Sequence, residues 1–154
     1  MFRTLLTLPF LLVATVNCAG SQEASPVSQG WVTECPGGSF CFSRPPDLRS
    51  VPVQMIDSLV GVFENSALTL HFDMGQYPVS LDHLENPVIE DIAIDGRPAQ
   101  TLAAGNEIVL RVPEVASQAQ FTTQFTMRLV FRGAVSRETA LRIFQSIKFT
   151  PSGQ

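Results

Sequence analysis

The 154-residue sequence lacks the motifs and the charge balance that mark many enzymes and nucleic-acid-binding proteins. It contains no phosphate-cradling glycine loop, no Gly-x-Ser-x-Gly nucleophile elbow and no His-Glu-x-x-His zinc helix. Lysine and arginine number 10 against 14 aspartates and glutamates, which gives a formal net charge of −4. An acidic chain is a poor partner for a phosphate backbone. We therefore assign no catalytic residue and expect no cofactor and no nucleic-acid partner.

Long apolar runs are also missing, and the longest one lies near the N-terminus. It covers residues 5–16, follows a single cation at Arg3 and is interrupted by Pro9. About twelve apolar residues are too few to cross roughly 30 Å of hydrocarbon, so we expect no transmembrane span in the mature chain. A short apolar core followed by small polar residues is typical of a bacterial export signal. We therefore expect a periplasmic or secreted protein.

Cys18 stands at the end of this apolar run and leaves a second location open. An apolar core, one cysteine at its end and a polar stretch after it resemble a bacterial lipoprotein signal. The resemblance implies that Cys18 is acylated, which would make the protein an outer-membrane lipoprotein with a lipid anchor. Ordinary cleavage after Ala19 or Gly20 would instead discard Cys18.

The domain plan follows from the length that remains after the signal. About 135 residues suit one domain with one core. We place a signal peptide at residues 1–20, a flexible N-terminal segment at 21–34, a single domain at 35–150 and a tail at 151–154.

Only two cysteines remain in the mature chain, and they predict a disulfide. Five residues, including the turn formers Pro36, Gly37 and Gly38, separate Cys35 from Cys41. In an oxidising compartment such a pair closes readily, and the small loop is worth roughly 2 kcal/mol. The spacing is not the Cys-x-x-Cys of a redox centre.

The best remaining pattern for a metal combines His71, Asp73 and His83. Imidazole and carboxylate together can bind a divalent cation, and such a site would make the chain a small metal-dependent hydrolase. The alternative is that His71 and Asp73 form the polar face of a strand and that His83 lies in a solvated turn. We favour that alternative and assign no metal. A zinc site that adds the two cysteines is disfavoured, because eleven residues separate the histidines.

The charges are unevenly distributed along the chain. Residues 47–114 carry eleven acids against three arginines, whereas residues 115–154 carry five cations against Glu138. Arg128 and Arg132 are four residues apart on a strand pattern, so both face the same side. They could form a basic docking face for an anionic partner. The two halves could instead neutralise each other, which is the interpretation we favour.

The hydrophobic pattern predicts an α+β fold in a single domain. Alternation indicates a mainly antiparallel sheet of five to seven strands, with one hairpin turning at 64–66, another at Asp95-Gly96 and a long strand over 121–131. Ser136 predicts the start of a C-terminal helix that covers the sheet with Ala140, Leu141, Phe144 and Ile147. A short helix over 54–59 is a further expectation.

In element order the chain resembles the PsbP-like domains, a group of extrinsic photosystem proteins and exported bacterial relatives. The resemblance covers roughly residues 40–150 and includes the stretches IDGRPAQ and ETALRIFQSIKF. It implies a helix-covered sheet and an accessory or assembly role. Our leading hypothesis is a non-enzymatic binding module whose partner is an envelope protein, a glycan or a lipid headgroup. The alternatives are the metal-dependent hydrolase and an inhibitor of an envelope-directed enzyme.

Overall fold

The computed structural model describes residues 30–54, 56–77, 79–118 and 121–150, which form two antiparallel sheets and one helix. The helix, α1, spans Arg137–Gln145. The strands are β1 Val32–Glu34, β2 Phe40–Arg44, β3 Arg49–Val51, β4 Leu59–Glu64, β5 Leu68–Gly75, β6 Val88–Ile94, β7 Arg97–Ala104, β8 Glu107–Gln118, β9 Phe121–Phe131 and β10 Lys148–Phe149.

The large sheet has seven strands in the order β3-β4-β5-β9-β8-β7-β6, and the small sheet has the order β1-β2-β10. The predicted antiparallel sheet with a C-terminal helix is confirmed. The assignment to α+β is only partly right, because the described residues make a sheet-rich fold in which one α-helix of nine residues accompanies ten strands. The difference comes from short strands such as β1, β3 and β10, which are too short to show an alternating pattern.

Both predicted hairpins are present. Asp95 and Gly96 join β6 to β7 with φ angles of 50° and 76°. Two successive positive φ values match the twist of the flanking strands, which explains the choice of Asp-Gly. In the β4–β5 hairpin, the side-chain oxygen of Asn65 accepts hydrogen bonds from the backbone N–H groups of Ala67 and Leu68.

The helix begins as predicted, but its buried face differs. The Ser136 side chain accepts a hydrogen bond from the backbone N–H of Thr139, and Ala140 and Phe144 are buried. Ile143 is also buried, whereas the predicted Leu141 is only half-buried, because the helix lies against β2 and β8 along its 140/143/144 side.

The predicted helix over 54–59 is wrong: residues 56–58 form a bend, β4 begins at Leu59, and Met55 lies outside the described residues.

The core lies between the inner face of the large sheet and a second layer made of β2, α1 and β10. Phenylalanine rings from both layers meet there: Phe40 is 4.8 Å from Phe125 and 5.2 Å from Phe72, and Phe125 is 5.3 Å from Phe149 (ring centroids). Such edge-to-face contacts add to the burial of large apolar rings. The core therefore depends on rings that are 24 to 85 residues apart in sequence.

The predicted disulfide joins Cys35 to Cys41, with 4.1 Å between the two Cα atoms. It closes a turn at Pro36–Gly38, where Gly37 has a φ of 58° and its backbone packs against the Leu59 side chain. The disulfide thereby ties the residue that follows β1 to the start of β2, the central strand of the small sheet, and holds the turn beside Leu59 at the start of β4.

The ordered fold begins before the predicted domain boundary. Strand β1 lies inside the segment 21–34 and pairs with β2, and the Arg142 guanidinium stacks 4.2 Å from the centre of the Trp31 ring.

The signal at 1–20 with Cys18, residues 21–29 and the tail at 151–154 lie outside the described residues. Within the described ranges, no helix has both the length and the apolar character needed to cross a membrane.

Candidate binding groove on the outer face of the large sheet

The outer face of the large sheet, which points away from α1, carries a row of side chains that crosses six strands. Cross-strand pairing aligns them in the order Val62, His71, Arg128, Val109, Leu102 and Ile89. A parallel row contains Val60, Asp73, Thr126, Arg111, Gln100 and Asp91. The register places His71 and Asp73 on one face, as the sequence predicts, and sets Arg128 beside His71.

The connection from β5 to β6, described at 76–77 and 79–87, covers part of this face. We call it the crossing loop, because β5 and β6 are separated in the sheet by β9, β8 and β7. His83 in the loop lies with its Nε2 atom 3.0 Å from Glu107 Oε1 on the outer face. Val109 faces the same side and is fully buried, as expected beneath a covering segment.

Next to the loop lies a groove of about 240 Å³. Its apolar lining consists of four valines, Val53, Val60, Val62 and Val79, together with Gly61 and Phe72. Its polar groups come from His71, Asp73, Thr126 and Arg128. Strands β4, β5 and β9 form the floor, whereas Val53 and Val79 stand on segments that follow β3 and β5.

Exposed apolar side chains lie at one end of the large sheet, beside the three strands that form the groove floor. Ile56 is 84% exposed, Tyr77 is 78% exposed and Phe121 is 57% exposed. They lie just before β4, just after β5 and at the start of β9. Strand pairing brings these three strand ends to the same end of the sheet. Tyr77 is thus two residues from the groove valine Val79.

A clamped ion pair fixes the polar wall of the groove. Arg128 donates from Nε to Glu107 Oε1 at 2.6 Å and from Nη2 to Oε2 at 2.7 Å, and His83 Nε2 donates to the same carboxylate. The Glu107 side chain is only 8% exposed. Burial alone would raise the pKa of Glu107, but the hydrogen bonds and charge of Arg128 and His83 hold that pKa below its ordinary value.

His71 contributes an imidazole ring to the groove. No described residue forms a hydrogen bond with its ring. Partial burial lowers the pKa of His71 below 6.5, the neighbouring Arg128 charge lowers it further, and Glu107 and Glu64 only partly oppose this. The imidazole is therefore neutral near pH 7 and can donate one hydrogen bond and accept another.

Among the residues that the structure describes, Asp73 holds the one carboxylate that lines the groove. Its Oδ2 atom accepts a hydrogen bond from Ser58 Oγ at 3.1 Å, and no cation among the described residues forms a salt bridge with it. His71 and Asp73 thus share the groove, but His83, the third residue of the predicted metal alternative, is held at Glu107. Among the described residues no group of three or more His, Cys, Asp or Glu side chains could hold a metal ion.

The predicted basic docking face is occupied by carboxylates. Arg128 is clamped by Glu107, and Arg132 donates from Nη2 to Glu64 at 3.0 Å and to the Thr69 hydroxyl at 3.0 Å. This arrangement supports the alternative of mutual neutralisation.

Glu107 and the groove valines could not be recognised as site residues from the sequence. Glu107 opens β8 directly after a turn, and nothing local distinguishes it from a solvated carboxylate. Its partners lie 21 and 24 residues away and are set by strand register and by the path of the crossing loop. Val60 and Val62 alternate with the core residues Leu59 and Phe63, so their strand pattern was visible but their outward direction was not.

Neither a protein-family model nor a curated protein nor a solved structure matches this chain. The class that fold and site define is a sheet-rich, disulfide-linked domain with a small apolar groove beside a buried, hydrogen-bonded ion pair.

Proposed function

We propose that this chain is an exported bacterial envelope protein that acts as a non-enzymatic binding or assembly module. The observation that carries the proposal is the groove lined by Val53, Val60, Val62 and Val79 at an apolar end of the sheet. Exposed apolar surface beside a concave site is typical of surfaces that bind a partner.

The size and lining of the groove favour a protein partner. Pockets for small-molecule ligands usually measure about 300–1,000 Å³, so 240 Å³ suits a single large side chain rather than a whole substrate. Four valines are poor contacts for a glycan or for the polar part of a lipid headgroup. An envelope protein that inserts one apolar side chain fits best.

The disulfide supports the proposed location. Disulfides persist in oxidising compartments such as the periplasm or the extracellular space. The protein would then be periplasmic or secreted, or an outer-membrane lipoprotein if Cys18 is acylated. An accessory role also agrees with the resemblance to PsbP-like domains, which stays an interpretation based on element order.

Capture from an envelope extract tests the proposal. Purified wild-type protein should capture a partner, whereas Val62→Trp, which fills the groove with its own side chain, should not. Ile89→Trp is the matched control, because Ile89 lies in the same cross-strand row at the far edge of the sheet. Both variants must retain the wild-type circular dichroism spectrum. Equal capture by Val62→Trp and wild type would contradict the proposal.

A further inference from the structure

The groove carries a net negative charge that its clamped ion pair does not remove. Arg128 contributes one positive charge, and Glu107 cancels it through two hydrogen bonds. His71 is neutral near pH 7 because its pKa lies below 6.5. The Asp73 carboxylate remains, and among the described residues only the uncharged Ser58 hydroxyl bonds to it.

The Asp73 charge lies directly beside the apolar floor. Asp73 pairs across strands with Val60 on one side and with Thr126 on the other, and all three line the groove. A ligand group that fills the space between the valines therefore lies next to the Asp73 carboxylate. A cation carried next to an apolar anchor would complement this arrangement better than a neutral or an anionic group.

We infer that the groove binds a protein segment in which an apolar side chain is followed closely by an amine, as in a lysine next to an aromatic residue. The inference rests on the proposed function, since it names the chemistry of the partner at the same site. The aromatic side chain packs between Val53, Val62 and Val79. The amine pairs with Asp73, and the neutral His71 imidazole can accept a further hydrogen bond from it.

Three indole compounds of nearly equal size test the charge preference. Tryptamine carries an amine, tryptophol a neutral hydroxyl and indole-3-propionate a carboxylate. Titration of the full-length folded protein, followed by amide NMR shifts of groove residues, should rank their affinities in that order at pH 7. We expect tryptamine to bind about fivefold more tightly than tryptophol, the range for a partly exposed charge pair.

Two aspartate variants locate the charge that matters. Asp73→Asn should bring the ratio of tryptamine to tryptophol affinity close to one. Asp91→Asn should leave the ratio unchanged, because Asp91 lies in the same cross-strand row as Asp73 but at the opposite edge of the sheet. Val62→Trp should abolish binding of all three compounds.

The outcomes separate the inference from the proposed function. Three outcomes would overturn the amine preference: equal binding of the three compounds, tighter binding of the carboxylate, or an affinity ratio that Asp73→Asn does not change. The groove would then remain a binding site, but one without a preference for amines. Failure of all three compounds to bind, with Val62→Trp still capturing its envelope partner, would overturn both. Groove-dependent binding to vesicles of phosphatidylethanolamine and phosphatidylcholine would replace the protein segment with a lipid headgroup as the amine source.

Discussion

Among individual residues, Glu107 shows how a buried charge is tolerated in this fold. Its carboxylate accepts two hydrogen bonds from Arg128 and one from His83, so each oxygen has a partner. Removing one member of a buried, hydrogen-bonded pair leaves the other uncompensated. The identity of Glu107 should therefore matter more to stability than that of any exposed carboxylate on the same face.

We expect Glu107→Gln to lower the free energy of unfolding by about 2 kcal/mol, the range for hydrogen bonds between charged groups. Urea unfolding at pH 7 measures the change. The matched control is Glu64→Gln, which breaks the exposed pair with Arg132 and should cost less than about 1 kcal/mol. Equal losses in the two variants would mean that burial of the Glu107 pair does not determine its contribution.

His71 predicts a pH dependence whose sign follows from its lowered pKa. The folded protein prefers the neutral ring, whereas the unfolded chain takes up a proton near pH 6.5. Below that pH the unfolded state binds more protons, so stability falls as the pH drops from 6.5 towards the folded pKa. The charged groups that act on the ring are Arg128 on β9, Glu107 on β8 and Glu64 on β4.

The variant His71→Gln should remove this contribution. Between pH 7.5 and pH 5, its free energy of unfolding should decline less steeply than that of the wild type, as measured by urea unfolding at several pH values. The carboxylates are common to both proteins, so the difference between the two curves isolates His71. Parallel curves would show that the ring titrates equally in the folded and unfolded states.

At the scale of elements, the disulfide joins the residue after β1 to β2, the strand with which β1 pairs. It fixes the turn at Pro36–Gly38 beside β2 and against Leu59. We expect replacement of Cys35 and Cys41 by serine to lower the free energy of unfolding by about 2 kcal/mol without removing the fold, because a small closed loop restricts the unfolded chain only modestly. A reducing agent should lower the free energy of unfolding of the wild type by the same amount and leave that of the variant unchanged. Loss of cooperative unfolding in the variant would contradict this expectation.

Elements with local signals could be predicted, and those set by distant partners could not. The turn at Asp95-Gly96 and the helix cap at Ser136 depend only on neighbouring residues. The hairpin and the start of the helix therefore follow from the sequence. Strand β10 has two residues and exists because Phe149 pairs with Phe40, over a hundred positions away. Gly61 gives another example: it makes room for the Phe72 ring, which a Cβ would meet at 2.3 Å, a contact fixed by the β4–β5 register.

Across the whole molecule, salt bridges link the acidic and basic halves of the chain. Four of the five cations after residue 115 meet carboxylates from 47–114: Arg128 with Glu107, Arg132 with Glu64, Arg137 with Glu90, and Lys148 with Asp95. The fifth, Arg142, lies over the Trp31 ring. Strand order explains the pattern, because the C-terminal β9 is inserted between β5 and β8 of the acidic half. Uneven charge along the sequence thus becomes paired charge in space.

The short apolar run and the small polar residues after it predict export of the whole chain. Expressed with its own N-terminus in a bacterium that has an outer membrane, the protein should be recovered from the soluble periplasmic fraction. Its intact mass should fit cleavage after Ala19 or Gly20, with Cys35 and Cys41 two hydrogens lighter than the dithiol form. Both results follow if residues 1–20 direct export, because only the oxidising side of the inner membrane favours the disulfide.

Cys18→Ser separates the two processing routes. Under ordinary cleavage Cys18 is discarded, so this variant should have the same location and the same mature mass as the wild type. A wild-type protein that begins at an acylated Cys18, sits in the membrane fraction and is released by Cys18→Ser would establish the lipoprotein route instead. Recovery of an uncleaved chain with free thiols in the cytoplasm would contradict export by either route, and the proposed envelope partner with it.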